Sequence, residues 1–257
     1  MRLTGLFVYP IKSCAGLSVD DWALDERGLV GDRSYMVVDE QGRFLTQREA
    51  PRLATVRPEL GEQLRVVTPG GSAVAQPGER VEVSVWEHTG PALDCGDDVG
   101  ALLSDHVERR CRLVALAPGH TRPTELGHGE VGFSDGYPLL IATEESLADL
   151  NTRVPDPLPM NRFRPNLVVS GSAPFVEDDW LRIEVGSIPI DVVKPCARCA
   201  ITRVDQATGI RGDGEPLRTL GTFRKAKGGV MFGQNAVHRT LGELRVGDEV
   251  RVVERRS

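Results

Sequence analysis

Apolar and polar residues alternate with a period close to two along much of this chain, and that pattern predicts β-strands. In the first half, strands are predicted at 2–9, 17–25, 34–39, 43–47, 63–68, 80–87 and 111–116. Turns rich in Gly, Pro and Asp separate them, and Asp39-Glu40-Gln41-Gly42 is the clearest hairpin candidate. In the second half, the predicted strands are NLVVSG, WLRIEVG, IPIDVV and AITRVD, with a closing hairpin in ELRVGDEVRVVE around Gly247-Asp248. Short strands at this spacing favour a barrel or a sandwich.

Two segments have the features of helices instead. One is predicted at 97–107. The other lies in ATEESLADLNTRV, where Thr143 is the expected N-cap and acidic residues fill the first turn. Between them, residues 117–136 are rich in Gly and Pro without periodicity, which favours a functional lid over disorder. The sequence therefore predicts a mainly β fold with helices (α+β), in two barrel-like domains at 1–116 and 117–257, with the boundary in the loop 117–136.

Composition narrows the function classes. The 257 residues carry a net charge of −6 and no long basic run, so we expect no nucleic-acid partner. No apolar run approaches the roughly 20 residues that span a bilayer, and the N-terminus lacks the pattern of a signal peptide, so we expect no membrane association. Five cysteines, an odd number, fit a reducing compartment better than a disulfide framework, which predicts a cytoplasmic protein.

The most informative motif is KPCARC, in which Cys196 and Cys199 are flanked by Lys194 and Arg198. A thiolate is both a nucleophile and a soft-metal ligand, and neighbouring cations stabilise it. Spacing alone leaves four interpretations open: half of a zinc site, a redox dithiol, one useful thiol beside a bystander, or two packed small residues. The zinc interpretation is weak because the other cysteines, Cys14, Cys95 and Cys111, stand alone in the sequence.

Several separated strings together resemble one family. They are YPIKSCAG, GLVGDRSYMVVDEQGRFLTQREAPRL, NRFRPNLVVSG, FVEDDW, PCARC with TRVDQATG, and FGQN followed by VGDEV. In this order they resemble the MOSC superfamily, and more narrowly the proteins that join a MOSC N-terminal β-barrel domain to a MOSC β-barrel domain. That group contains the mitochondrial amidoxime reducing component and its bacterial relatives.

The resemblance implies a molybdenum cofactor, in which the dithiolene of a phosphate-bearing pterin holds molybdenum (Mo-molybdopterin). It places the protein ligand to the metal at Cys199 and makes Cys196 a packed bystander. Arg198 is expected to stabilise the thiolate and the anionic cofactor. The other positions that match the family's cofactor contacts are Lys12, Ser13, Arg33, Asp135, Gly136, Tyr137, Arg164 and Asn166. Arg and Lys among them suit a phosphate group.

The implied activity is reduction of a small N-hydroxylated substrate, such as an amidoxime or hydroxylamine, by oxygen-atom transfer. Candidate general acids are His120, His128 and Asp135, although exposed histidines are the expectation for the first two. The chain ends without an appended ferredoxin domain, so we expect electrons from a separate protein: a ferredoxin, a cytochrome b5-like protein or a flavin reductase. The alternative is a carrier of the molybdenum cofactor or a partner in its sulfuration.

Overall fold

The computed structural model describes residues 1–120, 122–124 and 129–256. Its first half contains, in chain order, β1 (Arg2–Val8), β2 (Leu17–Val19), β3 (Asp21–Asp25), β4 (Gly28–Leu29), β5 (Tyr35–Val38), β6 (Arg57–Glu59), β7 (Arg65–Thr68), β8 (Gly71–Val74), β9 (Arg80–Val85), β10 (His88–Asp94), α1 (Asp97–Val107) and β11 (Arg112–Leu116). Its second half contains β12 (Leu139–Thr143), α2 (Glu144–Asn151), β13 (Leu167–Ser170), β14 (Trp180–Val185), β15 (Ile188–Ala197), α3 (Leu217–Phe223), β16 (Lys225–Ala226), β17 (Gly229–His238), β18 (Gly242–Arg245) and β19 (Val250–Arg255).

The largest sheet combines strands from both ends of the chain. Its order is β19-β14-β15-β17-β12-β13-β1-β2, with β16 paired to β17. One apolar core binds these strands together, and its fully buried side chains include Leu3 and Leu6 from β1 and Trp180 and Ile183 from β14. Burial of this much apolar surface is the main force that holds the first strand against the second half.

The rest of the first half forms a separate set of layers. A sheet of order β5-β11-β10-β9 packs near a three-stranded meander, β6-β7-β8. Helix α1 buries Val99 and Leu103 against this part, in a core that also contains Leu53, Val66 and Leu113. The two sheet systems thus have their own cores, and the cavity described below lies where their loops meet.

The predicted fold class, mainly β with helices, is confirmed, and so are both helices. The Thr143 side chain accepts a hydrogen bond from the Ser146 backbone N–H, so it is the N-cap as predicted. These predictions depend on local sequence signals. Among the described residues no helix is both long and apolar enough to cross a membrane.

Two strand predictions and one predicted strand pairing are wrong. Residues 43–47 form only isolated bridges, and AITRVD contains a 3-10 helix at Ala200–Arg203 instead of a strand. The predicted closing hairpin does not form, because β18 pairs with β3 and β19 pairs with β14. Leu244 of β18 lies opposite Trp22 and is fully buried, so a distant apolar face determines its partner. The run 17–25 is split into β2 and β3.

The boundary proposed at 117–136 stays a prediction, and strand pairing runs across it. Strand β1 pairs with β13, and β3 pairs with β18. The core that contains Leu3 and Leu6 also contains Ile190 and Val250. In three dimensions, therefore, strands β1 to β4 lie with the second half of the chain.

Candidate functional site

A cavity of about 140 Å³ lies between the loops of the two sheet systems. All ten site residues expected from the resemblance line it: Lys12, Ser13, Arg33, Asp135, Gly136, Tyr137, Arg164, Asn166, Arg198 and Cys199. They come from five distant parts of the sequence. The structure therefore brings together residues that the family resemblance selected one motif at a time.

Cys199 is exposed and lies just beyond β15. It precedes the first residue of the short 3-10 helix at 200–203, and its carbonyl accepts hydrogen bonds from Thr202. Its sulfur is 3.8 Å from Nη1 of Arg48, which comes from the other sheet system. The end of a strand thus presents an accessible thiol beside a cation.

Cys196 is not packed as was expected, and its role as a bystander to the metal ligand stays a prediction. It is partly exposed, lines the same cavity, and its sulfur accepts a hydrogen bond from Nη1 of Arg198 at 3.0 Å. Arg198 also donates to the Phe163 carbonyl at 2.6 Å. The recorded thiol contact of Arg198 is therefore with Cys196, while Arg48 is the cation next to Cys199.

The other three cysteines have a different environment. Cys14, Cys95 and Cys111 are buried. Burial raises the pKa of all three thiols, to about 12 for Cys14 and Cys95. They remain protonated at neutral pH and behave as small apolar residues. Accessible sulfur chemistry is confined to the pair in KPCARC.

A buried polar network supports one side of the cavity. The Asp32 carboxylate accepts hydrogen bonds from the Tyr9 backbone N–H at 2.8 Å and the Asn166 amide at 3.1 Å, and it pairs with Arg33. Burial raises the pKa of Asp32, although the Arg33 guanidinium opposes this effect. Such a network is rigid because each member left without its partner would be a buried, unsatisfied polar group.

Asn166 is fully used inside this network. Its amide N–H groups donate to the Phe7 carbonyl and to Asp32, and its oxygen accepts from Arg33 and from the Leu140 backbone N–H. Both donors and both acceptor positions therefore already have protein partners. Asn166 lines the cavity as a positioning residue that orients Arg33.

Three non-glycine residues of the cavity have left-handed backbone conformations. The φ angles are 65° for Ser13, 48° for Arg33 and 55° for Arg164. Such conformations cost energy for residues with a Cβ, and they concentrate at functional sites. Here they occur at the three bends that direct the chain around the cavity.

Arg164 supplies the clearest unsatisfied donor. Its guanidinium is buried, and Nη1 donates to the Cys14 carbonyl at 2.6 Å. Its Nη2 is buried and has no hydrogen-bond partner among the described residues. Burial lowers the pKa of Arg164 to about 10, and both Arg164 and Arg33 lie 4.3 Å from the Tyr9 ring centroid. A buried cation with an unused donor is suited to an anionic ligand.

Lys12 and Asp135 form the pair at the cavity mouth. The buried Lys12 ammonium donates to the Phe133 carbonyl at 2.8 Å and to the Asp135 carboxylate. Burial lowers the pKa of Lys12, although Asp135 opposes the shift. Desolvation acts to raise the pKa of Asp135, but the Lys12 ammonium, with help from Trp86 and Arg48, holds it well below its usual range. Asp135 is thus an ionised hydrogen-bond acceptor, not an acid at neutral pH.

The predicted lid contributes its last residues to the wall. Ser134, Asp135 and Gly136 line the cavity, and the buried Arg122 donates to the carbonyls of Gly132, Ser134 and Asp135. These hydrogen bonds hold the C-terminal end of the loop 117–136 in position.

Of the two histidines that were candidate general acids, His120 does not line the cavity. His120 was expected to be exposed, but it is 1% exposed, and its Nδ1 lies 2.9 Å from the Pro91 carbonyl. It packs against His88 and Phe133, outside the cavity lining, and burial lowers its pKa. His120 is therefore not placed to act as a general acid. His128 lies outside the described residues.

Sequence reasoning missed Arg48 and Trp86. Arg48 lies 4.7 Å above the Trp86 ring, and the Trp86 indole N–H donates to Asp135 at 3.2 Å. Arg48 stands in the string FLTQREAPRL, which contributed to the family resemblance, but an Arg in a polar loop usually reads as a surface charge. No sequence signal links it to Cys199, which lies 151 positions away.

The fold and the site define a mainly β protein with an accessible thiol in a cation-rich cavity. Comparison with known sequences gives the family. The MOSC N-terminal beta barrel domain matches residues 1–110, and the MOSC domain matches residues 128–251. The chain belongs to the family of proteins that combine these two domains.

Three relatives illustrate the range of that family. Mitochondrial amidoxime-reducing component 1 of Mus musculus is 33% identical over 275 residues, which cover 95% of this chain and 80% of that protein. Mitochondrial amidoxime reducing component 2 of Rattus norvegicus is 35% identical, with 95% and 81% covered. Molybdenum cofactor sulfurase of Danio rerio is 30% identical over 96% of this chain, which spans only 34% of that protein.

Proposed function

We propose that this chain is a molybdenum-cofactor-dependent reductase of N-hydroxylated compounds, such as amidoximes or hydroxylamines. The observation that carries the proposal is the exposed Cys199 thiol at a cavity lined by Lys12, Arg33, Arg164 and Arg198. The two relatives named amidoxime reducing components support it, since each is matched over about four fifths of its length.

The residues present suit the cofactor. Four cations and one carboxylate, Asp135, line the cavity, so its net charge favours an anion. Nη2 of Arg164 and Nε of Arg198 are buried donors without a hydrogen-bond partner in the described part of the chain, and a phosphate or pterin oxygen would satisfy them. Cys199 supplies a soft sulfur ligand of the kind that molybdenum accepts beside dithiolene sulfurs.

In this proposal, the bound cofactor supplies the two-electron chemistry that cleaves the N–O bond, so that an amidoxime, two electrons and two protons give an amidine and water. The chain's own residues hold the cofactor and shape the approach to it. Asp135 is ionised by its pairing with Lys12, and His120 does not line the cavity, so neither donates the protons. Water at the open side of the cavity is the proposed proton source.

The electron donor is proposed to be a separate protein, of the ferredoxin, cytochrome b5-like or flavin reductase type. The proposal rests on the cysteines of this chain: all five are free, and only Cys196 and Cys199 are accessible. The cytoplasmic location expected from the cysteine usage stays a prediction.

A second candidate function is handling or sulfuration of the cofactor. Cys196 favours it, since a second thiol with its own cation, Arg198, lies in the same cavity. The relative named molybdenum cofactor sulfurase points in the same direction, although this chain matches only a third of it.

The deciding experiment uses protein purified from a host that makes the cofactor. We expect about one molybdenum per chain by elemental analysis, retention of the cofactor when an apo-acceptor enzyme is added, and consumption of benzamidoxime with reduced methyl viologen as donor. Transfer of intact cofactor to the acceptor without amidoxime consumption would establish the second candidate instead. Absence of molybdenum would reject both.

A further inference from the structure

A second recess adjoins the cysteine cavity. It is a groove of about 550 Å³ that shares Tyr137 and Cys196 with the cavity and extends over Trp86, Pro195, Lys227 and Met231. Its volume is within the range of pockets that hold small organic molecules. None of the residues expected to bind the cofactor lies in this outer part of the groove.

Trp86 is an unusual residue at its edge. It lies in the turn between β9 and β10 with a φ of 55°, a conformation that is uncommon for a bulky aromatic residue. Half of its side chain is exposed, yet the indole is held in place by the Asp135 carboxylate, the Arg48 guanidinium and the Phe44 ring, whose centroid is 5.0 Å away. A fixed and exposed indole provides a flat surface for a planar ligand.

The same Arg48 contacts both the Trp86 ring and the Cys199 sulfur. A single guanidinium therefore spans the distance between the flat surface and the reactive thiol. A small ligand stacked on Trp86 would have one end near the cavity that Cys199 lines and the other end in the groove.

Two lysines line the groove. Lys194 lies 5.4 Å from the Tyr137 ring centroid, and Lys227 lies on the outer part. Lys227 is exposed, and the structure records no salt bridge for it within the described residues. The carboxylate of the groove, Asp135, is already paired with Lys12. An anionic substituent would therefore be favoured at the end near Lys227.

On the basis of the proposed function, we infer that this groove is the substrate subsite and that it selects planar aromatic N-hydroxylated compounds bearing a carboxylate or phosphate away from the N–O group. The ring stacks on Trp86, and the anionic group lies near Lys227. The inference assigns Trp86 and Lys227 to substrate binding, a role separate from cofactor binding.

Ligand binding can be measured without turnover. The oxidised holoenzyme, without an electron donor, is titrated with 4-carboxybenzamidoxime while tryptophan fluorescence is recorded. Of the three tryptophans, Trp180 is fully buried and Trp22 is partly buried, so quenching should come from Trp86. We expect quenching in the wild type, none in Trp86→Phe, and a Kd about tenfold weaker in Trp86→Ala by calorimetry. Unchanged quenching in Trp86→Phe, or an unchanged Kd in Trp86→Ala, would overturn the inference.

The charge preference is tested by steady-state kinetics. Lys227→Glu should raise KM for 4-carboxybenzamidoxime about fivefold and leave KM for unsubstituted benzamidoxime within twofold, with kcat unchanged for both. Lys225→Glu is the matched control, because Lys225 is exposed on the same hairpin but does not line the groove. An equal rise in both lysine variants would contradict the assignment of Lys227.

The two proposals fail separately. If the holoenzyme reduces benzamidoxime and acetamidoxime with the same KM, and Trp86→Ala changes neither, the reductase function stands and the subsite is wrong. If no amidoxime is reduced but quenching and its loss in Trp86→Phe are observed, the groove binds such ligands and the reductase function is wrong.

Discussion

On one side of the cavity the polar side chains are buried and bonded to one another, whereas on the other side two thiols remain accessible. The buried side consists of Tyr9, Asp32, Arg33, Arg164 and Asn166, which we call the anion wall. The accessible side is the segment 196–199, which we call the thiol wall.

This difference matches two chemical requirements. Recognition of an anion is strongest when donors are fixed in advance and water is excluded. A ligand or reactant sulfur must instead stay reachable, which requires exposure. The anion wall combines left-handed backbone and buried charge in a hydrogen-bonded network, while both thiols of the thiol wall remain accessible. Changes in the two walls should therefore have different consequences, and the predictions follow from the largest effect to the smallest.

The largest effect is expected in the thiol wall. Cys199→Ser should abolish molybdenum retention and amidoxime turnover, because serine does not replace the soft sulfur ligand. The melting temperature of the apo protein should stay within about 2 °C of the wild type, since Cys199 is exposed. Cys196→Ser is the matched control and should keep most of the bound molybdenum and most of the amidoxime turnover. Inactive Cys196→Ser beside active Cys199→Ser would mean that the ligand is Cys196.

A change in the anion wall should affect stability first. Asp32→Ala removes the carboxylate that pairs with Arg33 and caps the Tyr9 N–H, and breaking such a buried pair costs about 3–5 kcal/mol. Urea unfolding measures this loss. Asp191→Ala is the control: Asp191 pairs with Arg182 and Arg239 but is more exposed than Asp32, so a loss of about 1 kcal/mol or less is expected. Equal losses in the two variants would show that the anion wall is no more rigid than the surface.

Arg164 separates binding from stability within the anion wall. Arg164→Lys retains a positive charge but loses the planar donor group, so it should lower molybdenum occupancy about tenfold, which corresponds to ~1.4 kcal/mol. Arg164→Ala should lower it further without preventing folding. Occupancy is read by elemental analysis and folding by circular dichroism. Normal occupancy in a folded Arg164→Ala protein would remove the main support for the anion wall as a binding surface.

The smallest effect concerns the Lys12–Asp135 pair at the mouth between the walls. The pKa of Asp135 is depressed in the folded state, so the pair stabilises the protein fully above the unfolded carboxyl pKa of about 3.9. This stabilisation is lost as the pH falls through the lower pKa of the folded state. Because 62% of the Asp135 side chain is exposed, the effect should be ~1–3 °C in melting temperature. Melting temperatures of wild type and Asp135→Asn should differ at pH 7, and the difference should shrink progressively as the pH falls below about 4. A gap that persists at low pH would contradict this assignment.

The buried network could not be anticipated from residue types. Asp32 was not singled out, although it is the acceptor that connects Tyr9, Arg33 and Asn166. Asn166 was expected to contact the cofactor, and its side chain instead has all its hydrogen bonds within the protein. Burial determines these roles, and burial is a property of the packed chain.

The sequence by itself determined the features that local signals or family motifs encode. Helix α1 and the Thr143 cap follow from turn and capping signals within a few residues, and the family motifs selected the ten residues that line the cavity. Only the tertiary structure decided the partner of β18, the burial of His120 and the contact between Arg48 and Cys199. These features depend on segments more than 90 positions apart. Their proximity is set by which apolar faces the whole chain can bury together, and no local signal encodes that choice.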